Sequence, residues 1–254
     1  ASDVYKRQSM HQIADVEVGC FLSSGVDSSY VVKEISKGTK KVKTFSVGYE
    51  EEKYSELPYA QDFSNVIGVP NIANKVSADE FFDAVPEIQY YMDEPLPNPS
   101  EIPLYFLAKN ARRYVKVVLS GEGADELFGG YPWFHRESML DCGTFPWTPT
   151  LAPRKSLLNA DFANTLRMED YVKNAYDRAV SEVDILPMEN ETETSRRRIG
   201  YLSIRFFMQT LLNRMDRTSM NTGLEARVPF ADKQLVSYVF NIPWEMKAKG
   251  GLVK

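Results

Sequence analysis

Three short stretches of this 254-residue chain carry side chains whose types and spacing suit work on anions and metal ions. The first is Ser23-Ser24-Gly25-Val26-Asp27-Ser28-Ser29, which follows the β-rich run 16–22. Beyond it, 27–37 has apolar residues at Tyr30, Val31, Val32 and Ile35, the spacing of a helix. A strand, a Ser/Gly loop and a helix in that order aim loop amides and the unsatisfied N–H groups of the helix start at one spot. Serine hydroxyls add donors without bulk, so the unit suits phosphate or pyrophosphate. Neither the GxxxxGK[ST] lysine nor a GxGxxG turn is present, which leaves γ-phosphate transfer of the Walker type and dinucleotide binding unsupported. Asp27 would repel a phosphate unless a cation lay between them, which points to Mg2+. By spacing alone, an ordinary capped turn fits these residues equally well.

The second stretch, Leu119 to Tyr131, follows the apolar run 115–119. It holds the carboxylates Glu122, Asp125 and Glu126 among Gly121, Gly123, Gly129 and Gly130. Glycines let a backbone approach a ligand closely, and the carboxylates suit a metal ion or a substrate amine. Acidic residues at a helix start also favour its dipole, which accounts for Asp125 and Glu126 but not for the glycines. The third stretch comprises 215–220 and 223–230. Its Arg217 and Arg227 can bind a carboxylate or phosphate in bidentate fashion. They can equally pair with Asp216 and Glu225 to hold the fold, which is the commoner use.

Taken together, the motifs resemble a known family. The first loop is similar to the pyrophosphate loop, SGGxDS, of the N-type ATP pyrophosphatases, with Ser24 in place of a glycine. Ser120-Gly121-Glu122-Gly123-Ala124-Asp125-Glu126, with Phe128-Gly129-Gly130-Tyr131, resembles the GEGxDE-FGGY signature of asparagine synthetases and the related β-lactam synthetases. Asp216-Arg217-Thr218-Ser219-Met220 and Gly223-Leu224-Glu225-Ala226-Arg227-Val228-Pro229-Phe230 resemble their DR-SM and GLE-RVPF segments. The resemblance implies an adenine nucleotide alpha hydrolase-like, PP-loop fold and an ATP-dependent ligase. Such an enzyme adenylates the aspartate β-carboxylate and hands it to ammonia, giving asparagine, AMP and pyrophosphate.

By resemblance, Ser23, Ser24, Gly25, Asp27 and Ser28 hold the ATP phosphates. Ser120 and Gly121 contact the nucleotide, and Leu22 and Val47 line the adenosine pocket. Asp27 and Asp125 share Mg2+, Glu122 places the amino-acid substrate and ammonia, and Lys254 contacts the leaving pyrophosphate. The family's glutaminase domain, whose nucleophile is an N-terminal cysteine, has no counterpart in these residues, so a separate glutaminase domain or subunit is expected as the ammonia source. Two rivals remain open. One is a β-lactam synthetase-like ligase; the other is a truncated, non-catalytic nucleotide-binding module.

The elements that must position these residues follow from the pattern. Strands are expected at 16–22, 41–49, 69–76 and 115–119, and helices at 27–37, 54–67, 79–92 and from a Ser100 cap to 114. Alternating strands and helices predict a parallel α/β sheet flanked by helices. Ligands bind such sheets beyond the carboxyl ends of the strands, where both Ser/Gly loops fall. The expected division is an α/β nucleotide-binding core over 9–145 and a mainly helical part over 146–254, with helices at 168–183, 197–214 and 232–240. Residues 1–8 read as a leader outside the fold. A net charge of -5 argues against nucleic acid as a partner. Two cysteines and two histidines, without CxxC spacing, argue against a zinc site and fit a reducing cytoplasm. No apolar run is long enough to span a bilayer.

Overall fold

The structure, a computed structural model, describes residues 10–38, 41–95 and 99–248. The expected leader at 1–8 and Lys254 lie outside the described residues. The first elements are β1 (Val18–Phe21), α1 (Val26–Gly38), β2 (Thr44–Tyr49), α2 (Leu57–Ile67) and β3 (Asn71–Val76). Then come α3 (Ala78–Asp83), α4 (Val85–Met92), α5 (Glu101–Ala111), β4 (Val117–Leu119) and α6 (Ala124–Phe128). Among the later elements are α7 (Met168–Ser181), α8 (Glu191–Leu202), α9 (Gln209–Asn221), β5 (Glu225–Arg227), α10 (Lys233–Phe240) and α11 (Trp244–Lys247).

The strands form one parallel sheet in the order β3-β2-β1-β4-β5. The α/β expectation is therefore borne out, with a fifth strand that the sequence pattern did not signal. Central strands of a parallel sheet are covered on both faces and read as nearly continuous apolar runs. β4 is such a run, with Val117, Val118 and Leu119 all buried. Phe21, Phe45 and Val118 pack with Leu104, Ala108 and Ala111 of α5 and Met215 of α9 in one core cluster.

Helix ends follow local chemistry. The helix expected from 54 starts at Leu57, with a proline in its first turn, and closes at Gly68 as expected. The single helix expected over 79–92 is two. α3 starts on a capping box between Ser77 and Glu80, and α4 begins afresh with Pro86 in its first turn, where a missing N–H costs nothing. Ser100 is not the side-chain cap expected of it; its hydroxyl serves another partner, described below. The helix expected over 197–214 is longer and interrupted. It starts at Glu191 on an Asn190–Glu193 capping box, widens to a π-helix over Ser203–Met208 and resumes as α9.

Contacts divide the chain into two compact units. One consists of the described residues of Ala1–Ala124 together with Thr210–Ser237, and contains the sheet. The other consists of those of Asp125–Gln209 and Tyr238–Lys254, and is helical. Its core is aromatic: Trp133, Phe134 and Ile199 gather Tyr131, Trp147, Phe207 and Trp244, and Phe145 packs with Ala179 and Leu202. No helix of the described residues is long and apolar enough to cross a membrane.

Candidate active site

The sheet order reverses direction at β1 and β4, and the candidate site lies where those two strands end. Connections leave in opposite directions at such a point, opening a crevice beyond the strand ends. β1 pairing continues past Phe21, because the Leu22 N–H donates to the Phe45 carbonyl at 2.9 Å. The Leu22 carbonyl accepts from the Ser46 hydroxyl at 2.6 Å. Leu22 is buried, and the chain then emerges at Ser23, Ser24 and Gly25, all exposed.

Two hydroxyls close this first loop on itself. Ser23 Oγ and Ser28 Oγ are 2.9 Å apart. Ser28 Oγ accepts from the Ser23 N–H at 3.1 Å and donates to the Gly25 carbonyl at 3.1 Å. The Gly25 N–H donates to Ser23 Oγ at 3.1 Å. The Ser24 N–H donates to the Glu56 carboxylate at 3.3 Å. An amide of the loop thus already holds an oxyanion, supplied by the residue just before α2. Asp27 lies in the first turn of α1.

The second loop is more enclosed. The Ser120 N–H donates to the Arg227 carbonyl at 2.9 Å, continuing the pairing with β5, and Ser120 Oγ accepts from the Glu122 N–H at 3.3 Å. Gly121 stands against the start of α1. A Cβ there would lie 2.7 Å from Ser28 N and 3.0 Å from the Asp27 carbonyl carbon, so only glycine permits this approach. The two loops therefore meet backbone to backbone.

Glu122 turns to Arg214 of α9, which donates to its Oε1. The same guanidinium donates to Ser100 Oγ at 2.6 Å. Burial pushes the Glu122 carboxyl up, and Arg214 opposes that shift. Glu101 is 1% exposed. Its carboxyl is also pushed up by burial, opposed by its own backbone N–H and by Arg214. Glu122 Oε2 and Glu101 Oε2 are both buried without a hydrogen-bond partner. Arg214 thus influences two carboxyl groups, the half-buried Glu122 and the buried Glu101, each with one buried oxygen left open. An ammonium or amino group is the kind of donor such an oxygen accepts.

Of the residues singled out from sequence, Leu22, Ser23, Ser24, Gly25, Asp27 and Ser28 form the first loop and helix start. Ser120, Gly121 and Glu122 form the loop packed against it. Val47 lies two residues past Phe45, which pairs with Phe21, so it occupies the same strand-end edge. Asp125 lies in the first turn of α6. Arg227 is a fold-holding residue, as favoured: it bonds Glu225 at 2.6 Å and the carbonyls of His11 and Ile13. Arg217 reaches Asp93 at 3.0 Å and the Met92 carbonyl at 2.8 Å, a partnership not anticipated. Cys20 is buried in β1 and its thiol is pushed up to about 12, which suits a packing role.

A family model described as asparagine synthase matches residues 6–254. The chain belongs to the asparagine synthase family. It is 34% identical to asparagine synthetase [glutamine-hydrolyzing] 1 of Bacillus subtilis, covering 99% of this chain and 44% of that protein. It is 35% identical to asparagine synthetase [glutamine-hydrolyzing] 3 of the same organism, covering 92% of this chain and 40% of that protein. A putative asparagine synthetase [glutamine-hydrolyzing] of Mycobacterium tuberculosis is 34% identical over 92% of this chain and 40% of its own length. The chain thus spans less than half the length of these relatives.

Family membership sets the context for three residues that sequence reasoning missed: Arg214, Glu101 and Glu56. Arg214 lies just before the DR-SM segment and Glu101 follows the proline-rich stretch, so neither stands in a motif. Glu56 precedes a helix, where an acidic residue is ordinary.

Proposed function

We propose that this chain is the ATP-using part of a glutamine-dependent asparagine synthetase. ATP places its adenosine beside Leu22 and Val47 and its phosphates over Ser23, Ser24, Gly25 and Ser28. A phosphate oxygen takes the Ser24 amide in place of Glu56, and Ser120 and Gly121 approach from the second loop. The aspartate β-carboxylate attacks the α-phosphorus, pyrophosphate leaves, and an acyl-adenylate forms. Ammonia then attacks the acyl carbon to give asparagine and AMP.

Glu122 acts on the nitrogen. Its open oxygen accepts an N–H from ammonia, and its raised proton affinity suits it to take a proton as the amide forms. Lys254 carries positive charge to the leaving pyrophosphate. Asp27 and Asp125 are carboxylates at helix starts, and among the described residues no three candidate ligands cluster. Two carboxylates suit an ion that completes its shell with phosphate and water, as Mg2+ does. Bound there, Mg2+ would neutralise phosphate charge. Ammonia comes from a glutaminase domain or subunit. Both cysteines are free thiols, which supports a cytoplasmic setting.

The single observation that carries this reading is the contact of Gly121 with Ser28, which joins the two ligand-type loops at one strand-end crevice. The test is pyrophosphate release from Mg2+-ATP with aspartate and ammonium. Aspartate-dependent release that Asp27→Ala abolishes is the expected result. ATP binding without release would overturn the reading in favour of a non-catalytic nucleotide module. Release that depends on another carboxylate, and not on aspartate, would favour a related ligase.

A further inference from the structure

The helical unit contains a cavity of about 210 Å3 that the proposed reaction does not use. α11 brings Trp244 and Lys247 to its wall. Trp244 can sit there because Gly129 has no side chain; a Cβ at that position would lie 2.6 Å from the indole ring. The Arg196 guanidinium lies 4.5 Å from the centre of the same ring, and Phe134 stacks with it at 5.9 Å. Exposed Leu186 and Met188 also line the cavity and give it an apolar edge.

The charges around the cavity are unevenly satisfied. Arg197 is held by Glu189 at 2.5 Å and by Asn241 at 3.2 Å. The Glu193 carboxylate accepts from the Asn190 N–H at 3.2 Å, and Glu126 accepts from the Tyr131 hydroxyl at 2.6 Å. Two buried atoms on the lining residues make no hydrogen bond, Glu126 Oε2 and Arg196 Nε, and of these only Arg196 is a cation. Lys247 has no ion-pair or hydrogen-bond partner among the described residues. We propose that this cavity is a binding site for a small organic oxyanion, its charged end met by Lys247 and Arg196 and its apolar body by the aromatic wall.

Three further facts bear on the chemistry. The volume is below the roughly 300–1,000 Å3 of pockets for drug-sized ligands, so the occupant is small. Burial, and then the charge of Arg197, push the Lys247 amine down to about 8. An anion beside Lys247 favours its charged form, so binding weakens as pH rises and the amine loses its proton. The other titratable neighbours are His135, whose ring lies 5.4 Å from that of Trp244, and exposed Glu245 on the same helix. This site does not rest on the proposed ligase reading: Glu126 and Gly129 come from the end of the second stretch, but none of the residues placed on ATP or ammonia lines the cavity.

The test is calorimetric titration with benzoate and with its neutral isostere benzamide, on the full chain, at about pH 7 and about pH 9. Expected are benzoate binding at least about tenfold tighter than benzamide, and an affinity for benzoate that drops about tenfold at the higher pH as a lysine of pKa near 8 discharges. Lys247→Gln should remove the pH dependence and most of the affinity, and Lys247→Arg should retain benzoate binding at both pH values. Equal affinity for benzamide, no heat with benzoate, or unchanged binding in a folded Lys247→Gln variant would each overturn the proposal. The wild-type pH comparison decides the matter even if the variants fail to fold.

Discussion

The two loops at the ends of β1 and β4 occupy equivalent positions in the sheet and are held by opposite means. The first is exposed and closed by neutral hydroxyls, Ser23 and Ser28, with an amide open enough to take a carboxylate from Glu56. The second is partly buried and fixed by charge, with Glu122 locked to Arg214. A loop held by its own hydroxyls can exchange one oxyanion for another without losing its shape. A loop held by an ion pair keeps one carboxylate at one place. The first arrangement suits a ligand that arrives and leaves with its phosphates; the second suits the group that must meet a nucleophile.

Removing the ion pair should do the most damage. Arg214→Met leaves the half-buried Glu122 and the buried Glu101 without their cation; breaking a fully buried pair from one side costs about 3 kcal/mol, and the cost here is smaller because both members of the pair are partly exposed. Urea denaturation should show that loss, and Glu122→Gln combined with Arg214→Met should recover part of it. Gly121→Ala comes next. Its Cβ would meet backbone atoms of Ser28 and Asp27, which cannot swing aside as a side chain can. A destabilisation of about 2 kcal/mol and a clear loss of ATP binding are expected. The matched change in the first loop, Gly25→Ala, meets only the Ser23 hydroxyl at 3.2 Å and should have a much smaller effect on both.

Glu101→Gln separates burial from pairing. Burial raises the folded-state pKa of Glu101 above its ordinary value of 4.5. The folded protein therefore favours the protonated form, and the stability linked to this group is fully present below about pH 4.5 and lost as pH rises through the raised value. Relative to wild type, the variant should gain stability between acid and neutral pH and show little gain at the acid end. Urea midpoints at the two pH values measure this directly.

The contrast between the loops also explains what could be read in advance. β1, β2 and β4 are apolar runs ended by Ser/Gly turns or polar residues, and their pattern is local. The strand-end edge and the residues of both loops followed from it. β5 has three residues, two of them charged, and is a strand only because Val117–Leu119 offers it hydrogen bonds. Its partner lies more than a hundred positions away in the sequence, so no local period announces it. The Glu122–Arg214 pair spans 92 positions and the Arg214–Ser100 bond 114. Ser100 was misread as a cap for the same reason: its local sequence suits a cap, but a distant guanidinium claims its hydroxyl.

Glu56 provides the smallest and sharpest probe of the first loop. Its carboxylate and the Ser24 amide are exposed and 3.3 Å apart. An exposed charge-assisted contact of this kind contributes roughly 0.5 kcal/mol. If Glu56 stands where a phosphate oxygen goes, ATP must displace it, and its negative charge also opposes the incoming phosphates. Glu56→Gln keeps the shape and an acceptor but removes the charge. ATP should then bind about two- to threefold more tightly, from that 0.5 kcal/mol, with folding stability nearly unchanged. The gain should shrink as salt screens the exposed charge. Titration with a fluorescent ATP analogue at low and high salt measures both effects. Weaker binding in the variant would mean that Glu56 supports the loop rather than competing for it, and the hydroxyl-closed loop would then need its carboxylate as much as the second loop needs Arg214.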